Sequence, residues 1–172
     1  MTQSDPNSGA PFQPTAQRNP DYADNIQVHD RAVFVGEQYR AYYHEKFSEI
    51  TAQKKTSGFN IAAFFLGILW LFYRKMYFYG CLGIVFMIMM GVLQEFVGYS
   101  GAGLNIAMSA VFGVYANTIY KYFVDQKIIK IQNTTSDEEK RKQLQQQGGT
   151  SWLAVGGVLG VLGIVIFMIL NI

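Results

Sequence analysis

Apolar residues in this 172-residue chain are gathered into blocks, and the blocks set the element prediction. Residues 77–98 and 152–172 are long and apolar enough to cross a bilayer as helices, and residues 104–120 reach the short end of that length. A span needs roughly 20 mainly apolar residues, at 1.5 Å rise each, to cross a hydrocarbon core of about 30 Å. Residues 59–73 form a fourth apolar block, equivalent to about 22 Å of helix and short for a span. Elsewhere the apolar positions are periodic. Val35, Tyr39, Tyr42, Tyr43, Phe47 and Ile50 fall on one face at about 100° per residue, which predicts an amphipathic helix within residues 31–56. Tyr120, Val124, Ile128 and Ile131 recur at spacings of four, four and three, so the helix of 104–120 is expected to continue into a basic cytoplasmic arm, residues 121–151. Within that arm, Ser136 and Glu139 read as a capping box for a short polar helix that Gly148 and Gly149 end. Residues 1–30 are polar and contain all four prolines, which predicts a disordered tail without the apolar core of a signal peptide.

Charge changes the picture through its placement. None of the 14 Lys and Arg lies between Met76 and Tyr120, and none follows Lys142. The arm carries six basic residues against four acidic ones, whereas the link at residues 99–103 carries no charge. By the positive-inside tendency the N-terminus and the arm face the cytoplasm and the C-terminus faces the opposite side. Were residues 59–73 to cross, Arg74 and Lys75 would stand opposite Lys46, Lys54 and Lys55, against that tendency. The segment therefore reads as re-entrant or interfacial, with a tilted crossing as the alternative. The expected fold is all-α: three transmembrane helices, one re-entrant or interfacial helix and an N-terminal amphipathic helix.

Candidate chemistry is sparse. Glu95 is the only acid or base between Met76 and Tyr120, but it lies about 27 Å along a helix from Tyr77, near the outer interface. Asn105 and Asn117 are polar residues on the returning helix, suited to interhelical hydrogen bonds. Gly156 and Gly160 form a GxxxG that permits close helix packing, within the chain or in a homo-oligomer. Arg74, Lys75 and the arm lysines suit anionic lipid headgroups or set topology alone. His29 and His44 are isolated, and the single cysteine, Cys81, excludes a disulfide framework, so no metal, cofactor or catalytic residue is assigned. A net charge of +2 does not point to nucleic acid.

The aromatic phrase from Phe59 to Met76, FNIAAFFLGILWLFYRKM, resembles the hallmark of the domain of unknown function family 2628, small bacterial membrane proteins. It contributes Phe59, Asn60, Trp70, Tyr73, Arg74 and Lys75. Ile61 replaces a usual Trp and Ile68 a frequent Pro, which weakens the expectation of a helix break at Gly67. The segments FVGEQYRAYYHEKF, ANTIYKYFVDQKI and GGTS resemble the family as well. The resemblance implies an architecture, set in a bacterial inner membrane with the C-terminus periplasmic, and no activity. The function expected is a non-enzymatic accessory, scaffold or regulatory membrane subunit with an unidentified membrane or cytoplasmic protein partner. The rival is a small oligomeric transporter or channel component with a polar path near Glu95 and Asn117.

Overall fold

The structure, a computed structural model, describes residues 20–98, 102–132 and 136–171, with side chains from Gln27 onward. Every regular element among the described residues is helical: α1 (Pro20–Val35), a π-helical turn (Tyr39–Tyr43), α2 (His44–Glu49), α3 (Ile61–Leu66), α4 (Ile68–Tyr73), α5 (Tyr77–Val97), α6 (Ala102–Ile131), α7 (Asp137–Gln147) and α8 (Trp152–Leu170). Three of them, α5, α6 and α8, are long and apolar enough to cross a membrane. Their termini follow local chemistry. Ser136 accepts a hydrogen bond from the Glu139 amide at 3.2 Å and Ser151 from the Ala154 amide at 3.2 Å, each supplying an orphan donor of a first helical turn.

At 30 residues, α6 is about 45 Å long and outlasts the thickness of a hydrocarbon core by some 15 Å. Its surplus half is the spine of the packed core. Tyr120, Val124, Ile128 and Ile131 are all buried there, beneath Phe34 and Val35 of α1, Tyr43 of the π turn, Phe47 of α2 and Leu144 of α7. Arg31 grips Asp125 through two hydrogen bonds of 2.7 and 2.9 Å, and Phe34 meets Phe123 edge to face at 6.1 Å. Lys140 closes the α1 and α7 contact with a 2.7 Å approach to the Asp30 carboxylate, a charge contact not aligned as a hydrogen bond. Lys121 donates to the Phe47 and Ile50 carbonyls at 2.8 and 2.7 Å, placing a cation where α2 ends and its carbonyls lack helical partners.

Two expectations are corrected here. The tail predicted through residue 30 gives way to helix at Pro20, because proline is tolerated in a first helical turn and the apolar end of α1 finds a partner in α6. Residues 1–19 lie outside the described residues. The single amphipathic helix breaks at Gly36, whose φ is +81°, and resumes as the π turn and α2; the face itself holds, since Val35, Tyr39, Tyr43 and Phe47 are all buried. The basic arm is folded back, its apolar stripe covered by α1 and α7. The chain turns from α7 into α8 at Gly148, where a Cβ would sit 1.9 Å from the Phe34 carbonyl oxygen, and Gly149 donates to that oxygen at 2.7 Å.

Candidate functional site

The aromatic phrase folds as a bent helical pair. Asn60 starts it: its side-chain oxygen accepts from the Ala63 amide at 2.9 Å, and its own amide donates to the Gly113 carbonyl of α6 at 2.9 Å. Gly67 bends it with φ +51° and ψ −122°, a backbone region open to glycine, so the break occurs with Ile68 in the place of proline. α3 lies along α6, and α4 lies between α5 and α8. Both ends of the pair meet the same stretch of α6. Asn60 donates to Asn117 at 2.8 Å, while Arg74 lies over Tyr120, less than one helical turn further on.

Asn117 is fully buried and is the hub of this polar layer. Besides accepting from Asn60, it donates to the Ser57 carbonyl at 3.1 Å and to the Tyr42 hydroxyl at 3.2 Å. The π turn makes the last contact available. Its wider winding sets the consecutive residues Tyr42 and Tyr43 against each other edge to face at 4.9 Å, so that one hydroxyl reaches Asn117 and the other reaches Arg74.

Arg74 and Lys75, neighbours in sequence, have opposite fates. Lys75 takes a left-handed backbone, φ +58°, and donates to the Gln146 carbonyl at 3.1 Å on the surface. Arg74 turns inward and is only 3% exposed. Its guanidinium carbon lies 4.6, 5.1 and 5.5 Å from the ring centres of Tyr43, Tyr120 and Tyr73. One terminal nitrogen donates to the Tyr43 hydroxyl at 2.9 Å and to the exposed Gln38 side-chain oxygen. The Nε and the other terminal nitrogen have no hydrogen-bond partner, and among the described residues no carboxylate pairs with the charge. Taking an ion from water is penalised by several kcal/mol, whereas a desolvated cation–π contact returns about 2. The three ring contacts together therefore offset much of the desolvation, while the Nε and the other terminal nitrogen stay unpaired.

Arg74 and Asn60 line a cleft of about 420 Å³, roofed by Gln38, Tyr42 and Tyr43 and floored by Trp70. Its other walls are apolar: Ile61, Leu66 and Leu69 from the bent pair, Trp152 and Val155 from α8. Ile61 and Trp152 are 64% and 72% exposed, so the cleft runs from a buried cation to an open hydrocarbon surface.

The residues singled out in the sequence divide between this site and the rest of the molecule. Phe59 packs on Phe64 at the head of α3, Trp70 meets Tyr120 edge to face at 5.8 Å, and Tyr73 packs on Trp152 at 4.9 Å, with its carbonyl accepting from the Ser151 amide at 2.8 Å. Glu95 is exposed in the last turn of α5, and its neighbour Gln94 donates to Asn105 at 3.3 Å. Asn105 and Asn117 are about 18 Å apart along α6, so Glu95 and Asn117 do not share a polar layer. Gly156 and Gly160 have open space where a Cβ would project, with nothing packed there among the described residues. Among the described residues no group of three His, Cys, Asp or Glu is placed to hold a metal ion. Residue-by-residue reading missed Gln38, Tyr43 and Tyr120. The signal was there: they belong to segments sharing the family resemblance, and those segments converge on Arg74.

The family model described as "Protein of unknown function (DUF2628)" matches residues 17–125, which includes the π turn, the bent pair, α5 and most of α6. The chain belongs to the DUF2628 family. No curated protein and no solved structure matches it. In this DUF2628 chain the matched segment contains the entire Asn60, Asn117 and Arg74 constellation, and α8, which closes the cleft, lies beyond it.

Proposed function

We propose that the chain is a bacterial inner-membrane accessory subunit that holds a small cytoplasmic platform rigidly on a membrane anchor. The observation that carries this reading is α6: one continuous helix supplies both an apolar span and the buried Tyr120, Val124, Ile128 and Ile131 beneath α1 and α7. A platform built in this way cannot move independently of its anchor, and it leaves Glu138, Arg141, Lys142 and Gln145 of α7 exposed as a polar face for a protein partner. In this reading α5, α6 and α8 cross the bilayer, α3 and α4 re-enter it, the N-terminus is cytoplasmic and the C-terminus periplasmic. Re-entry is supported by the return of both ends of the pair to neighbouring turns of α6, and orientation by the basic excess of residues 121–151.

Impermeant maleimide labelling of intact cells tests the topology. With Cys81 replaced, single cysteines at Lys55 and Arg141 should react only after permeabilisation, and one at Ser100 should react at once. Lys55 and Arg141 on opposite sides would make α3 and α4 a crossing. For the platform role, a photo-crosslinker at Arg141 should trap a discrete partner in cells, with one at Val97 as the control. A proteoliposome flux abolished by Glu95→Gln, with no partner trapped, would instead establish transport.

A further inference from the structure

We propose that the cleft beside Arg74 is a binding site for an anionic phospholipid, its phosphate seated against the buried guanidinium and one acyl chain leaving along Ile61, Leu66 and Val155. Two independent observations meet in it. The first is a cation 97% removed from solvent, whose Nε and one terminal nitrogen have no partner and which lines the cavity. A guanidinium offers phosphate oxygens several fixed N–H donors, and charge-assisted bonds of this kind are about twice as strong as neutral ones. The second is the wall. A soluble anion would be received by a polar mouth, whereas this cleft leads from Arg74 to exposed aliphatic and aromatic side chains.

Size narrows the ligand. A volume of about 420 Å³ lies in the lower part of the roughly 300–1,000 Å³ range of small-molecule sites, enough for a headgroup phosphate and the start of one chain. The remainder of the lipid would lie outside, against α8, which buries none of its residues within the chain. Tyr43 and Gln38 hold one terminal nitrogen and so orient the guanidinium plane before a ligand arrives. A zwitterionic lipid carries the same phosphate together with its own cation, which competes with Arg74 for it; selectivity for net negative lipid follows.

The two tryptophans of the chain, Trp70 and Trp152, both line the cleft and report on it. The full chain is placed in nanodiscs with acyl-brominated phosphatidylglycerol or phosphatidylcholine, and tryptophan quenching is followed against the mole fraction of brominated lipid. In Trp152→Phe, which leaves the buried Trp70 as the sole reporter, half-maximal quenching should need about tenfold less phosphatidylglycerol than phosphatidylcholine. Arg74→Gln should abolish that difference. Should Arg74→Gln fail to fold, Val155→Phe, which narrows the cleft from α8 without touching Arg74, should weaken the quenching of Trp70 by phosphatidylglycerol. Equal quenching by the two lipids, selectivity retained in Arg74→Gln, or unchanged quenching in Val155→Phe would overturn the site. Loss of the quenching on adding inorganic phosphate, but not chloride at equal ionic strength, would identify a site for a free anion and overturn the lipid assignment. The proposal rests on the membrane reading, and the unmodified chain separates the two: exposed Trp152 left unquenched by either brominated lipid would mean that the chain is not embedded.

Discussion

Replacing Asn117 by Leu keeps its approximate volume and removes three hydrogen bonds at once, leaving Asn60, Tyr42 and the Ser57 carbonyl without their partner. Each buried group left unpaired is penalised by about 1–3 kcal/mol, so Asn117→Leu should lower stability by at least about 3 kcal/mol; denaturant unfolding in detergent measures it. The share of the loss that comes from the Asn60 contact should be absent when Asn60 is already Ala, whereas the share from Ser57 and Tyr42 should remain. Tyr43 gives a pH dependence of definite sign. Burial raises its phenol above the usual value of 10.0, and the Arg74 charge beside it offsets only part of that. The folded chain then holds a proton that the unfolded chain releases, so the contribution of Tyr43 is fully present below pH 10.0 and is lost as pH climbs above it. Stability followed from neutral to strongly alkaline pH should stay level and then decline, and Tyr43→Phe should decline less steeply. Residue-level reading of the sequence recognised Asn117 as a hydrogen-bonding residue. It did not anticipate that Arg74 is buried, because the neighbouring lysine and the end of an apolar block both suggest a headgroup-level cation; the cage that receives it comes from Tyr43 and Tyr120, dozens of residues away.

At the scale of elements, Gly67 is the position on which the bent pair depends. With φ +51° and ψ −122°, any residue bearing a Cβ is strained there although no neighbour stands in its way. Gly67→Ala should therefore destabilise by about 1–3 kcal/mol through the backbone alone, and Gly67→Val by more, read from thermal unfolding in detergent. A steric origin would reverse that reasoning, and trimming neighbouring side chains should not rescue the loss. The sequence made the long helices legible because each carries its own signal: α5 and α8 by unbroken apolar length, α7 by the Ser136 cap and the Gly148 stop. It concealed α1, whose polar first half has no stripe of its own and whose stability comes from Arg31, Phe34 and Val35 docking on α6. Tertiary packing decides a helix of that kind, and local propensity does not. The break at Gly36 escaped notice for a related reason: a π turn preserves the inward face of Tyr39, Tyr43 and Phe47 while changing the path between them.

At the scale of the whole molecule the buried residues are concentrated at one end. α8 buries no residue and α5 only Gly80, whereas the half of α6 beyond Tyr115, with α1, α2 and α7 packed on it, contains most of the core. With α5, α6 and α8 crossing the bilayer as proposed, the two zones draw on different driving forces, the spans on transfer of apolar length into lipid and the platform on hydrophobic burial against water. A lesion in the platform should leave insertion intact. Leu144 is the suitable place to test this, since it is the buried side chain by which α7 holds to the core. Leu144→Ala should reduce platform stability by about 2–5 kcal/mol and release α7, exposing its basic residues and those at the end of α6 to trypsin. Because α5 and the apolar half of α6 do not depend on that contact, the α5 to α6 fragment should remain membrane-bound through alkaline extraction while α7 is cut. Joint loss of membrane association and platform would show instead that the platform is required for insertion, and the division into two zones would fail.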